Sequence, residues 1–324
     1  MTTWMPYLIL IFGFILLTKG ADLFVDGAAA AAEKLSVPVF IIGMTIVAMG
    51  TSAPECAVSI AASLKGNNQL AVSNVVGSNL FNLMVVCGVC ALASPLAVKI
   101  SILKKEFPFS IFVAFLLLLA GGVGMSVDRA DGFLLLIIFV LFLISMIKSA
   151  KRARLSFPEN AARAEAAEFT DEQIREMSVL RCVCSIAAGL AAIVFGGNWV
   201  VDGASVIAES FGMSQNLIGL TIVAFGTSLP ELVTSFAAAR KNQADMALGN
   251  VIGSNIFNVL LILGLAAAIS PMSFNAENVV DTVVLIFMSI QVFFFCRKKY
   301  CISRGKGMIM LVEYAVYVAY IVIR

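Results

Sequence analysis

Glu55 and Glu231 each stand in the middle of an apolar run and in the same local setting. Gly50-Thr51-Ser52-Ala53-Pro54-Glu55 returns as Gly226-Thr227-Ser228-Leu229-Pro230-Glu231. A carboxylate near the centre of a bilayer costs a few kcal/mol or more, so one that persists there marks an ion path or a functional site. Thr51 and Glu55 are four residues apart and share a helix face, as do Thr227 and Glu231. Pro54 and Pro230 lack an N–H and clash with the carbonyl four residues back, which belongs to Gly50 in one copy and Gly226 in the other. A carbonyl freed at membrane depth needs a bound cation, water or protein to satisfy it. Each segment therefore offers hydroxyl, carboxylate and carbonyl oxygens together. Hard cations such as Ca²⁺ take such oxygen ligands, and two facing glutamates balance one divalent ion.

A second pair of motifs completes the set. Asn74-Val75-Val76-Gly77-Ser78-Asn79, with Asn82 beyond it, returns as Asn250-Val251-Ile252-Gly253-Ser254-Asn255, with Asn258. Ser78 and Asn82 lie on one helix face, as do Ser254 and Asn258, and these four read as ligands. For Asn74, Asn250, Asn79 and Asn255, ligation and interhelical hydrogen bonding stand as equal alternatives. Gly77 and Gly253 allow close approach to the proline-broken helices. Asp26/Asp202 and Glu33/Glu209 also match, but near span ends, where a charge reaches the headgroups cheaply; helix-end or vestibule roles suit them better than coordination. Lys19 either pairs with Asp22 or snorkels.

All these pairs share one offset of 176 residues, and about 33 of the 74 aligned pairs from Asp22/Asn198 to Pro95/Pro271 are identical. The elements that carry them must cross a membrane. Sixty per cent of the residues are apolar, 13% are charged and the mean hydropathy is +0.99, against roughly 25% charged residues in soluble domains. The expected fold is an all-α polytopic membrane protein with ten transmembrane helices: 5–31, 38–64, 69–93, 107–127, 132–148, 180–207, 214–239, 244–269, 278–296 and 307–323. Five spans per repeat is odd, so the second repeat enters from the opposite side and the two five-helix repeats are inverted. The division is 1–148 for the first repeat, 149–179 for a cytoplasmic linker and 180–324 for the second. Within the linker, Thr170 and Gln173 form a capping pattern that suggests short helical pieces.

With both termini outside, 18 Lys and Arg fall in cytoplasmic loops against three outside. That bias orients the multi-pass chain with the linker inside, and a compact chain without a presequence points to a prokaryotic cell membrane. No signal-peptide cleavage pattern precedes the first helix. The absence of histidine removes imidazole ligands, His-based proton relays and Ser-His hydrolysis. Cys87 and Cys90 lie one turn apart, but Cys182 and Cys184 have the wrong spacing for the other half of a metal site; buried free thiols are expected.

The doubled motifs resemble the alpha-repeats of the sodium/calcium exchanger branch of the Ca²⁺/cation antiporter superfamily, over essentially the full chain. The resemblance implies a secondary antiporter, not an enzyme and without a cofactor, that exchanges Ca²⁺ for Na⁺ by alternating access through clustered mid-membrane sites. It implies Glu55 and Glu231 as shared carboxylates and Thr51 and Thr227 as oxygens of the Ca²⁺ site. Ser52, Ser78, Ser228 and Ser254 would flank Na⁺ sites, with carbonyls of Ala48 and Ala224, and Asn82 at the middle level. The first and sixth spans would slide across the core. Its partners would be Ca²⁺, Na⁺ and lipid, with no nucleic acid, and the monomer would be the working unit. Two departures stand out. Some branches have aspartate where this chain has Asn258, which leaves stoichiometry and K⁺ involvement open. Ser73 precedes Asn74 where glycine is usual. A Ca²⁺/H⁺ or other cation/H⁺ antiporter is the alternative.

Overall fold

The computed structural model describes residues 4–65, 68–156, 177–213, 224–297 and 299–323. Helices dominate, as an apolar solvent requires: with no water to satisfy the backbone, each segment must bond within itself. In order they are α1 (Met5–Leu35), α2 (Val39–Thr51), α3 (Ala53–Leu64), α4 (Leu70–Ala93), α5 (Ile100–Lys104), α6 (Glu106–Gly122), α7 (Arg129–Ser156), α8 (Val179–Ser210), α9 (Ala224–Thr227), α10 (Leu229–Arg240), α11 (Ala244–Ile269), α12 (Ala276–Arg297) and α13 (Arg304–Ile323). Among the described residues seven helices are long and apolar enough to cross a membrane, and α2 with α3, bent by 47°, makes an eighth.

Eight of the expected spans coincide with these helices, with differences at the ends; the fourth, 107–127, holds the 17-residue α6, and the seventh, 214–239, is described only from Ala224. α1 continues through Leu35, and α7 runs through Ser156, into the segment expected to be linker. Residues 157–176, which include the Thr170–Gln173 pattern, and residues 214–223, which open the seventh span, lie outside the described residues.

α4 and α11 form the centre: 78% of the apolar window of each is buried, against 17–39% for the other spanning helices. Around them α1 and α8 pair antiparallel along their length. Gly13, Gly20 and Gly27 on α1 and Gly189, Gly196 and Gly203 on α8 recur every seven residues, and there the backbones touch. A Cβ on Gly20 would sit 2.7 Å from the Ala192 Cβ and 2.9 Å from the Ile193 N. Small residues permit such approach where packing, not water exclusion, drives helix association.

Two short antiparallel ladders tie distant parts of the chain together. β1 (Leu96–Ala97) pairs with β4 (Cys301–Ile302), and β2 (Ser126–Val127) with β3 (Met272–Ser273). The seven cysteines are free thiols.

Candidate cation site

Pro54 and Pro230 produce the breaks expected of them. The helix stops at Ser52 (φ −80°, ψ 8°) and at Ser228 (φ −93°, ψ 5°), and restarts as α3 and α10 with each glutamate in the first turn. An acidic side chain in a first turn faces unsatisfied N–H groups and the positive end of the helix dipole. Both glutamates are fully buried.

The serines at the breaks reach across the centre. Ser52 Oγ donates to Glu231 Oε1 at 2.8 Å, and Ser228 Oγ donates to Glu55 Oε1 at 3.0 Å. From α4 and α11, Ser78 donates to Glu55 Oε1 and Ser254 to Glu231 Oε1, each at 3.5 Å. Ser228 and Ser78 hydroxyls are 3.1 Å apart. The second oxygens, Glu55 Oε2 and Glu231 Oε2, are buried and have no hydrogen-bond partner. Neither glutamate has a salt-bridge partner among the described residues. Two carboxylates without a cationic side chain, each with one oxygen uncommitted, form a pocket that suits a cation.

The remaining oxygens follow the same reciprocal scheme, then depart from it. Asn74 Nδ2 donates to Ser59 Oγ at 3.0 Å, and Asn250 Nδ2 to Ser235 Oγ at 2.9 Å. Each amide also reaches the carbonyl of its glutamate at 3.5 Å. Asn79 and Asn255 donate to each other's carbonyls at 3.1 Å. These four asparagines are thus interhelical fasteners in this structure. Ser59 and Ser235, which the motifs did not single out, hold Asn74 and Asn250. Their signal is available: both match across the repeat and lie four residues beyond the glutamates.

Asn82 and Asn258 differ. Both are fully buried and both open a π-helical stretch, Asn82–Val86 and Asn258–Leu263, a distortion frequent at functional sites. Asn258 Nδ2 donates to Asn79 Oδ1 at 3.0 Å and leaves its own Oδ1 unpartnered. Asn82 has neither amide atom bonded. Thr51 is fully buried and donates to Asn250 Oδ1 at 3.1 Å, whereas Thr227 is half-buried. The Ala48 carbonyl accepts from Ser52 N at 3.0 Å and from Thr51 Oγ1 at 3.4 Å. Ala224 begins α9, and its side chain lies outside the described residues. Gly253 meets α2 closely, a Cβ there falling 2.7 Å from Met44 O; no described atom lies within 4 Å of a Cβ on Gly77.

A cavity of about 500 Å³ runs from buried Ser52 along Cys56, Ala57 and Ala61 to exposed Leu64, with Phe257 and Leu261 opposite.

The sodium/calcium exchanger protein family matches residues 5–148 and 182–323, one match for each half of the chain. The chain belongs to this family. Among its exchanger relatives, the putative antiporter CaxA of Alkalimonas amylolytica is 40% identical, aligned over 94% of this chain and 95% of that protein. The sodium/calcium exchanger MaX1 of Methanosarcina acetivorans is 34% identical, with 96% and 97% covered. The sodium-calcium exchanger NCX_Mj, in a structure soaked with Na⁺ and Sr²⁺, superposes with a TM-score of 0.84 at 33% identity, covering 98% of this chain and 99% of that one. The chain is accordingly a polytopic membrane protein of a cation-transporter family.

Proposed function

We propose that the chain exchanges Ca²⁺ for Na⁺ across a cell membrane by alternating access. Glu55 and Glu231 are the carboxylates that both ions use. Thr51, Thr227, Ser52, Ser228, Ser78, Ser254, Asn82, Asn258 and the carbonyls of Ala48 and Ala224 supply the further oxygens. The observation that carries this reading is the crossed arrangement at the centre: each glutamate takes a hydroxyl from the opposite half and keeps one buried oxygen uncommitted. A cation entering there satisfies both carboxylates at once. Without it, two charges in a dehydrated core are costly, so only a compensated site reorients freely.

Ten spans in two inverted repeats, 1–148 and 180–324, with both termini outside and 149–179 inside, are supported by the charge bias of the loops. A monomer suffices, because both halves of the site lie on one chain.

The deciding experiment is ⁴⁵Ca²⁺ uptake into proteoliposomes under separately imposed Na⁺, K⁺ and H⁺ gradients. The expected result is uptake driven by a Na⁺ gradient alone. Uptake that follows a proton gradient and ignores Na⁺ rejects the proposed coupling ion in favour of Ca²⁺/H⁺ exchange.

A further inference from the structure

Lys65 and Lys241, which follow the broken helices α3 and α10, match across the repeat, and so do Asp26 on α1 and Asp202 on α8. Only one of the two Lys–Asp combinations is closed. Lys241 Nζ lies 2.7 Å from Asp26 Oδ1 and 3.6 Å from Asp22 Oδ1, and donates to the Asp22 carbonyl at 3.1 Å. One ammonium thus fastens α10 to α1. At the matched place Lys65 and Asp202 are exposed, and neither side chain has a hydrogen bond or ion pair among the described residues. Asn198 stands there in the position of Asp22.

The packing differs in the same sense. At the Lys241 end α1 lies along α10, and Ala237 is 7% exposed. At the Lys65 end α8 makes no comparable packing on α3, and the matched Ala61 is exposed and lines the cavity that leads to Ser52. The path is open where the lysine is free and covered where it is bound.

We propose that the Lys241–Asp26 and Lys65–Asp202 ion pairs are alternate latches of the transport cycle, each closing one end of the cation path while the other is parted. This rests on the alternating-access reading above. The glycine contacts make α1 and α8 one unit, so a displacement that brings α8 and Asp202 down onto α3 carries α1 and Asp26 away from α10. The second carboxylate, Asp22, favours closure at the Lys241 end and sets the resting bias.

The test uses the purified full-length protein in detergent, where both ends are accessible. A maleimide labels native Cys56, which lines the open cavity, and an introduced A237C on the covered side, with extents read peptide by peptide in a mass spectrometer. K241M is expected to raise A237C labelling several-fold and to lower Cys56 labelling. K65M, which removes no contact present in this structure, is expected to lower A237C labelling and to slow ion exchange several-fold in proteoliposomes. The swap D26K/K241D is expected to return both labelling extents toward the wild type. Unchanged labelling in K241M and K65M, with wild-type flux intact, overturns the latch and leaves the exchanger reading standing. Latch-dependent labelling in a protein that shows no Na⁺-driven Ca²⁺ flux supports the latch and defeats the proposed ions instead.

Discussion

Residues Ala53–Leu64 and Leu229–Arg240 start from the same motif, break at the same proline and carry the same glutamate, yet they live in different surroundings. In the first, Ala53, Ala57 and Ala61 are exposed; in the second, the matched Leu229 and Val233 are half-covered and Ala237 is buried. Sequence cannot account for this, because the pairs Ala53/Leu229, Ala57/Val233 and Ala61/Ala237 are small or apolar in both halves. The difference is one of surroundings: α1 packs along α10, and α8 makes no comparable packing on α3. The same lesson holds at the centre, where Glu55 and Glu231 have matched hydrogen bonds but Asn82 and Asn258 do not.

The comparison is broken most severely at the residues the halves treat alike. Glu55→Gln and Glu231→Gln should each abolish Ca²⁺ flux: the bound ion loses one of its two carboxylates, and breaking a buried pair of opposite charges costs about 3–5 kcal/mol, equivalent to roughly 10²–10⁴-fold in affinity. Uptake assays in proteoliposomes check this, and one mutant with near-normal flux while the other is dead would show that the two carboxylates are not equivalent.

Packing on the covered and open sides should respond next. Ala237→Phe must force a ring between α10 and its neighbours, with an expected loss of about 1–3 kcal/mol typical of overpacking. Ala61→Phe should keep its melting temperature and block the cavity, so that flux falls while folding does not. Equal thermal destabilisation of both variants, read by a melting curve in detergent, contradicts the open-and-covered assignment.

A subtler contrast lies in the amides. Asn258→Ala leaves Asn79 Oδ1 without its donor and should destabilise the fold by about 1–3 kcal/mol. Asn82→Ala removes an amide bonded to no protein group, so it should weaken Ca²⁺ binding with little change in melting. Isothermal titration alongside thermal melts separates the two, and matched behaviour of both variants would erase the distinction.

The smallest effect is expected at the glycines of the two break motifs. A Cβ on Gly226 falls well inside contact distance of the stiff, β-branched Val201, whereas one on Gly50 meets Leu190 and Phe24 at 3.2 Å. Gly226→Ala should therefore lower the melting temperature more than Gly50→Ala. The opposite order would place the tighter contact in the wrong half.

Much of the site was legible because duplication marks it twice. The 176-residue offset singles out both glutamates, the four serines and the asparagines without reference to coordinates. The helices were legible from apolar length, apart from ends such as that of α7, where the helix continues into a polar segment. Whatever separates the halves was hidden, because a self-alignment treats matched residues as equals. Lys241 and Lys65 look the same in sequence, and only geometry distinguishes the bound lysine from the free one. The roles of Asn79 and Asn255 were undecided for a related reason: an amide suits a ligand or a fastener, and its partner settles which. The π-helical stretches at Asn82 and Asn258 were also invisible, since an inserted residue in a helix leaves no periodic mark.

The two-residue ladders bear on how this protein is made. Leu96 finds its partner at Ile302, and Ser126 finds its partner at Ser273. The first half of the chain therefore leaves the ribosome with strand edges that nothing yet synthesised can pair: β2 waits for Met272–Ser273, ahead of α12, and β1 for Cys301–Ile302, ahead of α13. A chain stopped before residue 301 carries both central helices, α4 and α11, but has no partner for Leu96–Ala97 and no α13.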